Sequence, residues 1–291
     1  MTHEMTAPTI PGPVRETRKP DLRLPGNTCD CHAHLFGPQT KYRYASNRRY
    51  TPPDATLDDY MSMLKTIGVE RAVLVQPSVY MTDNSVILDA LAEKRFPLRA
   101  VVAVTDEVSD EELERMHALG VRGVRINFRN PNGPTPDMAP RIAEKISQLG
   151  WHLQLHISGT EFASAIPLFE KLGVDIVLDH IVQVPVAEGL DSPAFEAIRS
   201  FVRSGRCWIK LSAPMRMSRE EYPYSDVTPF VQALVETAPG RMLWGTDWPH
   251  TALDKNMPND GDLVDLLSAW IPNSQKRRQV LVDNPARLYG F

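Results

Sequence analysis

The sequence predicts an α/β protein of the (β/α)8, or TIM barrel, class, and three observations carry that reading. Short apolar runs alternate with amphipathic stretches at a spacing of roughly 25 to 30 residues. Several of the amphipathic stretches stop at a glycine, as at Gly68, Gly120, Gly150 and Gly173. Strands joined through helices lie parallel, and eight such units in about 260 residues match a closed barrel. The rival, an open doubly wound sheet, would want a glycine-rich phosphate loop after its first strand, and the sequence has none there.

The first strand begins at Thr28 and carries Cys29-Asp30-Cys31-His32-Ala33-His34. A turn at Leu35-Phe36-Gly37-Pro38 leads into an irregular loop as far as Pro53. That loop holds Lys41, Arg43, Arg48 and Arg49, and a loop of this length is often functional. Residues 54–67 read as a helix with Leu57, Tyr60, Met61 and Leu64 on one face. Residues 71–76 form an apolar run of the kind buried on both faces, and a helix follows to residue 92. Further strands fall at 98–104, 121–128, 151–157, 174–179, 206–211 and 241–245. Helices fall at 110–119, 138–149, 161–172, 193–204, 227–237 and 263–270, with a last one through Leu288. Residues 1–27, rich in proline, threonine and charge, read as an extended, partly disordered arm laid over the domain. Residues 28–291 remain as a single barrel domain.

Composition narrows the function. Of 291 residues, 42% are hydrophobic and 23% charged, ordinary for a soluble globular protein. A net charge of −4 and the lack of a basic stripe interleaved with aromatics argue against nucleic acid as a partner. No run approaches 18 apolar residues, so no membrane span is expected, and the N-terminus lacks the apolar core of a signal peptide. Cys29, Cys31 and Cys207 cannot make an even disulfide set; they read as buried, reduced thiols of a cytoplasmic protein, with a metal-binding Cys-x-Cys pair as the lesser reading. If strand one is regular, Cys29 and Cys31 point away from the histidines.

In a barrel of this class the working side chains sit at the C-terminal ends of the strands. His32 and His34, two apart on a strand, present two imidazoles to one side. Strand four bears Arg125 and Asn127, with Arg129 just beyond; strand five ends at His156 and strand six at Asp179-His180. Strand seven carries Lys210 and Ser212, with Arg216 after it, and strand eight runs into Thr246-Asp247-Trp248-Pro249-His250. Each has a plain structural reading: a strand-end histidine is often a packed hydrogen-bonding residue, Lys210 could snorkel, and Asp247 could cap a turn. Together, His32, His34, His156, His180 and Asp247 end four strands on one face, an imidazole and carboxylate inventory that suits zinc or a similar ion. Arg125, Arg129, Lys210 and Arg216 lie on the same face and suit an anionic substrate, with internal salt bridges as the alternative for some of them.

With these residues the chain resembles the amidohydrolase superfamily: a His-x-His after strand one, a His after strands five and six, an Asp after strand eight. More closely it resembles the branch of 2-pyrone-4,6-dicarboxylate lactonase, sugar-acid lactonases, 4-sulfomuconolactone hydrolase and galactarolactone isomerase. The phrases that carry this are Asp30-Cys-His-Ala-His-Leu-Phe-Gly-Pro38, Gly120-Val-Arg-Gly-Val-Arg-Ile-Asn-Phe128, Leu178-Asp-His180, Trp244-Gly-Thr-Asp-Trp-Pro-His250 and Asn284-Pro-Ala-Arg-Leu-Tyr289. They span about residues 25 to 290.

The resemblance implies a catalytic barrel that opens an anionic lactone, carboxylated or sulfonated, in sugar-acid or aromatic-compound catabolism. Binuclear members of the superfamily bridge their metals with a lysine or glutamate on strand four; Arg125 and Asn127 there imply at most one ion. The implied ligands are His32, His34, His156 and Asp247 and the implied ion zinc or manganese, with metal-free catalysis as the alternative. Asp247 would take the proton of the attacking water and return it to the leaving oxygen, while His180 orients the water or steadies the oxyanion. The same groups would serve an aldarolactone isomerase. A mononuclear-metal decarboxylase and a non-enzymatic binding barrel are more remote. The reading admits a homo-oligomer.

Overall fold

The structure is a computed structural model that describes residues 7–129 and 133–291. Eight parallel strands pair in chain order: β1 (Cys29–Ala33), β2 (Arg71–Val75), β3 (Leu98–Val102), β4 (Val121–Asn127), β5 (His152–His156), β6 (Ile176–Leu178), β7 (Cys207–Leu211) and β8 (Met242–Trp244). The helices are α1 (Leu57–Ile67), α2 (Ser85–Glu93), α3 (Asp110–Leu119), α4 (Ala139–Ser147), α5 (Gly159–Phe169), α6 (Pro193–Arg203), α7 (Thr228–Thr237) and α8 (Asp260–Trp270). The last expected helix is three pieces: α9 (Ser274–Arg278), a wider π turn at Gln279–Asp283, and α10 (Asn284–Tyr289). The predicted (β/α)8 barrel forms, with shorter strands than the apolar runs suggest, because their last residues turn away into site loops.

Local chemistry sets the helix ends. Thr56 caps α1 in a reciprocal box with Asp59, and Ser158 caps α5 with Glu161, so both helices begin at the cap rather than at the edge of the apolar pattern. Ala72, Leu74, Ala100 and Val102 face the helices, whereas Val73, Val75, Val101, Val177 and Leu243 fill the lumen with Trp208 and Tyr289. Each fully buried aliphatic side chain contributes about 1.5–3 kcal/mol.

Strand β1 departs from the regular alternation. Asp30 pairs with Ala72 but Ala33 pairs with Leu74, so β1 carries one extra residue, a bulge. Parity changes there, and Cys31 and His32 both turn inward. Cys29 and Cys31 therefore join the lumen layer instead of lying on the face opposite the histidines. All three cysteines are free and buried.

The barrel closes between β1 and the chain just after β8. The His34 amide donates to the Trp248 carbonyl and the Asp247 amide to the His32 carbonyl, both at 2.8 Å. Gly245 permits this approach: a Cβ there would lie 2.7 Å from the His32 nitrogen and 2.8 Å from its Cβ. Buried Asp30 ties the same seam. Its Oδ1 accepts from the amides of His32 (3.0 Å) and Thr246 (2.9 Å), and its Oδ2 from the hydroxyls of Tyr60 (2.8 Å) and Thr246 (2.6 Å).

Along the N-terminal stretch, Thr9 bridges Thr51, and Arg18 pairs with Asp262 (2.6 Å) and Asp265 on α8. Residues 1–6 of the expected arm lie outside the described residues. Among the described residues no helix is long and apolar enough to cross a membrane.

Candidate active site

At the C-terminal mouth, three imidazoles aim at one oxygen. The Nε2 atoms of His32, His34 and His180 lie 3.7, 3.8 and 3.8 Å from Asp247 Oδ1. The bulge turns His32 inward, and the closing seam holds Asp247 against it. Asp247 sits at φ 67, a left-handed conformation that aspartate tolerates. His180 begins a left-handed turn in which His180, Ile181, Val182 and Gln183 have φ of 55, 55, 62 and 49. That turn swings His180 over the lumen, closed by a bond from the Val182 amide to the Asp179 carbonyl (3.0 Å).

Each imidazole is tied back through Nδ1. His34 Nδ1 donates to the Val75 carbonyl (2.7 Å), His180 Nδ1 meets Ser212 Oγ (3.0 Å), and His32 Nδ1 lies 3.3 Å from Asp179 Oδ1. Burial pushes all three imidazoles below their ordinary range, so they are neutral near pH 7. Burial alone would raise the Asp247 carboxyl, but the Arg216 guanidinium holds it well below the usual carboxylate range. Arg216 engages only Oδ2, through Nε (3.0 Å) and Nη2 (2.7 Å).

That leaves Asp247 Oδ1 and His32 Nε2 buried with no hydrogen-bond partner. An unpartnered buried polar atom costs about 1–3 kcal/mol, so two facing each other mark a place for a shared ligand. His32, His34 and Asp247 place donor atoms within 4.8 Å of one another, as do His32, Asp179 and His180. A tetrahedral ion with bonds of about 2.0–2.1 Å separates its ligand atoms by roughly 3.4 Å. The observed spacings are close to that, and the neutral imidazoles and carboxylate suit a divalent ion.

His156 is not among the converging donors. Its ring centroid lies 5.2 Å from that of His180 and its Nε2 is 3.3 Å from Gln183 Nε2. The regular end of β5 leaves His156 at the edge, while the left-handed turn after β6 brings His180 Nε2 to 3.8 Å from Asp247 Oδ1. His250, another histidine of the quoted motifs, is bound to Asp260 at the start of α8 (3.1 Å).

Among the expected anion binders, Arg125 and Arg216 take the internal ion pairs given as the alternative. Arg125 gives Nε and Nη2 to Asp179 Oδ2 (3.2 and 3.1 Å) and Nη1 to the Gln76 carbonyl (3.3 Å). Lys210 is wholly buried below the histidines, 2.6 Å from Gln154 Oε1 and 3.4 Å from His32 Nδ1, and burial pushes it down to about 8. Its partners are all interior groups. Arg129 is exposed at the mouth, bonded to Gln183 Oε1 (3.2 Å), and Arg49 of the basic loop reaches its carbonyl (2.6 Å).

Two residues of the site carried no assigned role in the sequence. Asp179 forms the inner ion cluster with Arg125 and Lys210. Inward parity along β6 after Val177 was the signal that pointed to it. The Tyr50 hydroxyl sits against the hydroxyls of Ser78 and Thr251, close to the charges of Arg125 and Arg216. It arrives from the irregular loop, where periodicity carries no information. Beside Arg125 lies a small cavity of about 20 Å3, room for about one water, lined by Gln76, Ser78, Met81, Ala103 and Asn127 among others.

Comparison with known proteins follows the same geometry. The chain is 36% identical over 289 residues to the 4-sulfomuconolactone hydrolase of Hydrogenophaga intermedia, covering 98% of this chain and 95% of that one. It is 37% identical over 282 residues to the 2-pyrone-4,6-dicarboxylate hydrolase of Comamonas testosteroni, covering 93% and 92%. The apo crystal structure of an Agrobacterium tumefaciens protein superposes with a TM-score of 0.85 at 25% identity, over 94% of this chain and 98% of that one. The amidohydrolase family pattern matches residues 29–291, from the first residue of β1 through the whole barrel. A barrel that gathers strand-end histidines on a strand-eight aspartate is thus matched along its full length, and the chain belongs to the amidohydrolase family.

Proposed function

We propose that this chain is a hydrolase that opens an anionic lactone, carboxylated or sulfonated, by attack of water on the lactone carbonyl. The observation that carries the reading is the unpaired Asp247 Oδ1, a carboxylate oxygen faced by three neutral imidazoles at the open end of the barrel. The hydrolase names of relatives at 36% and 37% identity support the lactone class.

Asp247 Oδ1 accepts a proton from water as the water oxygen bonds to the carbonyl carbon, and carbonyl π electrons move onto the oxygen. On collapse the ring carbon–oxygen bond breaks, and Asp247 returns the proton to the leaving oxygen, giving a hydroxy acid. His180, fixed by Ser212, steadies the water or the developing oxyanion. A carboxylate held this far below its usual range is a weak base. A single divalent ion, zinc or manganese, held by His32, His34, His180 and Asp247, would acidify water and polarise the carbonyl. Arg129 and Arg49 at the rim, the Tyr50 hydroxyl and the outer edge of Arg216 would take the substrate's anionic group.

The test combines elemental analysis with a panel of carboxylated and sulfonated lactones, followed by NMR and by acid release. Acid release that Asp247→Asn abolishes, in a folded variant, supports the hydrolase. A change of ring size without acid release would instead establish the isomerase.

A further inference from the structure

We propose that Asp179 is a positioning residue: it holds His32 with its proton on Nδ1, so that Nε2 turns a lone pair toward the Asp247 centre. The inference rests on Asp247 being the working centre, not on the identity of the lactone. His32 and Asp179 are both wholly buried, and Nδ1 lies 3.3 Å from Asp179 Oδ1.

Every other neighbour of that carboxylate is a donor. Oδ2 takes two N–H groups of Arg125, and Oδ1 takes Gln154 Nε2 at 2.8 Å. A carboxylate so surrounded stays ionised and can only accept. A bare Nδ1 would set its lone pair against the Asp179 carboxylate at 3.3 Å, out of reach of water, which is unfavourable.

Lys210 is the competitor, since its Nζ lies 3.4 Å from the same Nδ1 and could donate to it. The ammonium, however, has three protons and another acceptor, Gln154 Oε1 at 2.6 Å, with the charge of Asp179 4.0 Å away. It can turn away from a protonated Nδ1, whereas Asp179 cannot turn into a donor. The neighbouring imidazole shows the same arrangement without ambiguity. His34 Nδ1 faces the Val75 carbonyl, which only accepts, so its Nε2 carries the lone pair. An imidazole braced by a carboxylate on its far nitrogen is the general device for aiming the near one.

The experiment reads the proton directly. Metal-stripped protein labelled with 15N-histidine is examined by NMR at neutral pH, with His32 assigned through His32→Gln. The expected wild-type pattern is a protonated Nδ1 and a bare Nε2 at His32, as at His34. In Asp179→Asn the proton of His32 moves to Nε2 while His34 is unchanged, and activity on whichever lactone is turned over falls about 10- to 100-fold. Lys210→Met removes the competitor and leaves the proton on Nδ1. A wild-type His32 protonated on Nε2 overturns the proposal, as does a folded Asp179→Asn that keeps its proton on Nδ1. If Asp179→Asn does not fold, the wild-type and Lys210→Met spectra decide alone. A failed lactone panel would leave these spectra untouched, so the two readings fail separately.

Discussion

Replacing Gly245 with alanine asks whether the closing seam of the barrel sets the geometry of the site. A Cβ at 245 would lie 2.7 Å from the His32 nitrogen, 2.8 Å from the His32 Cβ and 3.1 Å from Asp30 Oδ1. The first two obstacles are backbone and Cβ, so no side-chain rotation relieves them. Ordinary contact begins near 3.4 Å, so the chain after β8 must retreat from β1 by about 0.7 Å. The Asp247 amide bond to the His32 carbonyl, now 2.8 Å, then stretches to the limit of a hydrogen bond. Overpacking of this kind costs about 1–3 kcal/mol, and the weakened bond adds about 1 kcal/mol. The same retreat draws Asp247 Oδ1 away from His32 Nε2. A 1 Å misplacement of reacting groups can cost about 100-fold in rate, so kcat/KM should drop roughly 10- to 100-fold. Urea unfolding and lactone hydrolysis measure the two effects. Gly173→Ala is the control, since nothing lies within 4 Å of its Cβ, and it should stay within about 0.5 kcal/mol of the parent with full activity. A folded Gly245→Ala enzyme with unchanged kcat/KM would refute the idea that the seam positions Asp247.

Other perturbations separate the cations and the buried histidines. Arg216→Met should lower kcat by freeing Asp247 from its partner, whereas Arg129→Met should raise KM and leave kcat nearly intact; equal effects of both on KM alone would argue that Arg216 serves only the substrate. Arg125→Met breaks a buried pair with Asp179 and should cost about 3–5 kcal/mol in urea unfolding; a loss under about 1 kcal/mol would show that Lys210 alone suffices. His152, buried with both ring nitrogens unpartnered, is pushed down to about 3 by burial and then by the charge of Lys210. Because its folded value lies below the unfolded one of about 6.5, the unfolded chain takes up the proton first, and stability falls as pH drops from about 6.5 toward 3. His152→Leu should flatten that acid limb by up to about 1.4 kcal/mol per pH unit, and an unchanged limb would sink the assignment.

The barrel was legible because its signals are local. Apolar runs, glycine stops and strand-end histidines each act over a few residues, and Asp247 and His180 stood out by position alone. The convergence of His180, and not His156, on Asp247 could not be read in the same way. It depends on four successive left-handed residues, two of them the β-branched Ile181 and Val182, which propensity argues against. The inward turn of Cys31 was hidden for a similar reason, since alternation assumes a strand without a bulge. The roles of the arginines were hidden by distance along the chain. Arg125 meets Asp179 across 54 residues and Arg216 meets Asp247 across 31, and sequence shows charges without showing which carboxylate each will find.

The departures from local preference collect around one oxygen. The left-handed turn at His180 costs about 1–2 kcal/mol per residue, and the unpartnered Asp247 Oδ1 and His32 Nε2 cost about 1–3 kcal/mol each. Such costs persist only where the surroundings over-determine the geometry, and here they do. Ile181 and Val182 are wholly buried, which anchors the turn from beneath, while Gln183 is bonded to both His156 and Arg129. Asp30 takes four donors at the seam that fixes Asp247. Arg216 divides the Asp247 carboxylate in two, one oxygen spent on structure and the other left bare toward three imidazoles. A chain relaxed at any of these points would be more stable and would lose the convergence of three nitrogens on that oxygen. The strain is best understood as the cost of keeping one carboxylate oxygen unpaired inside a folded barrel until a substrate or an ion meets it.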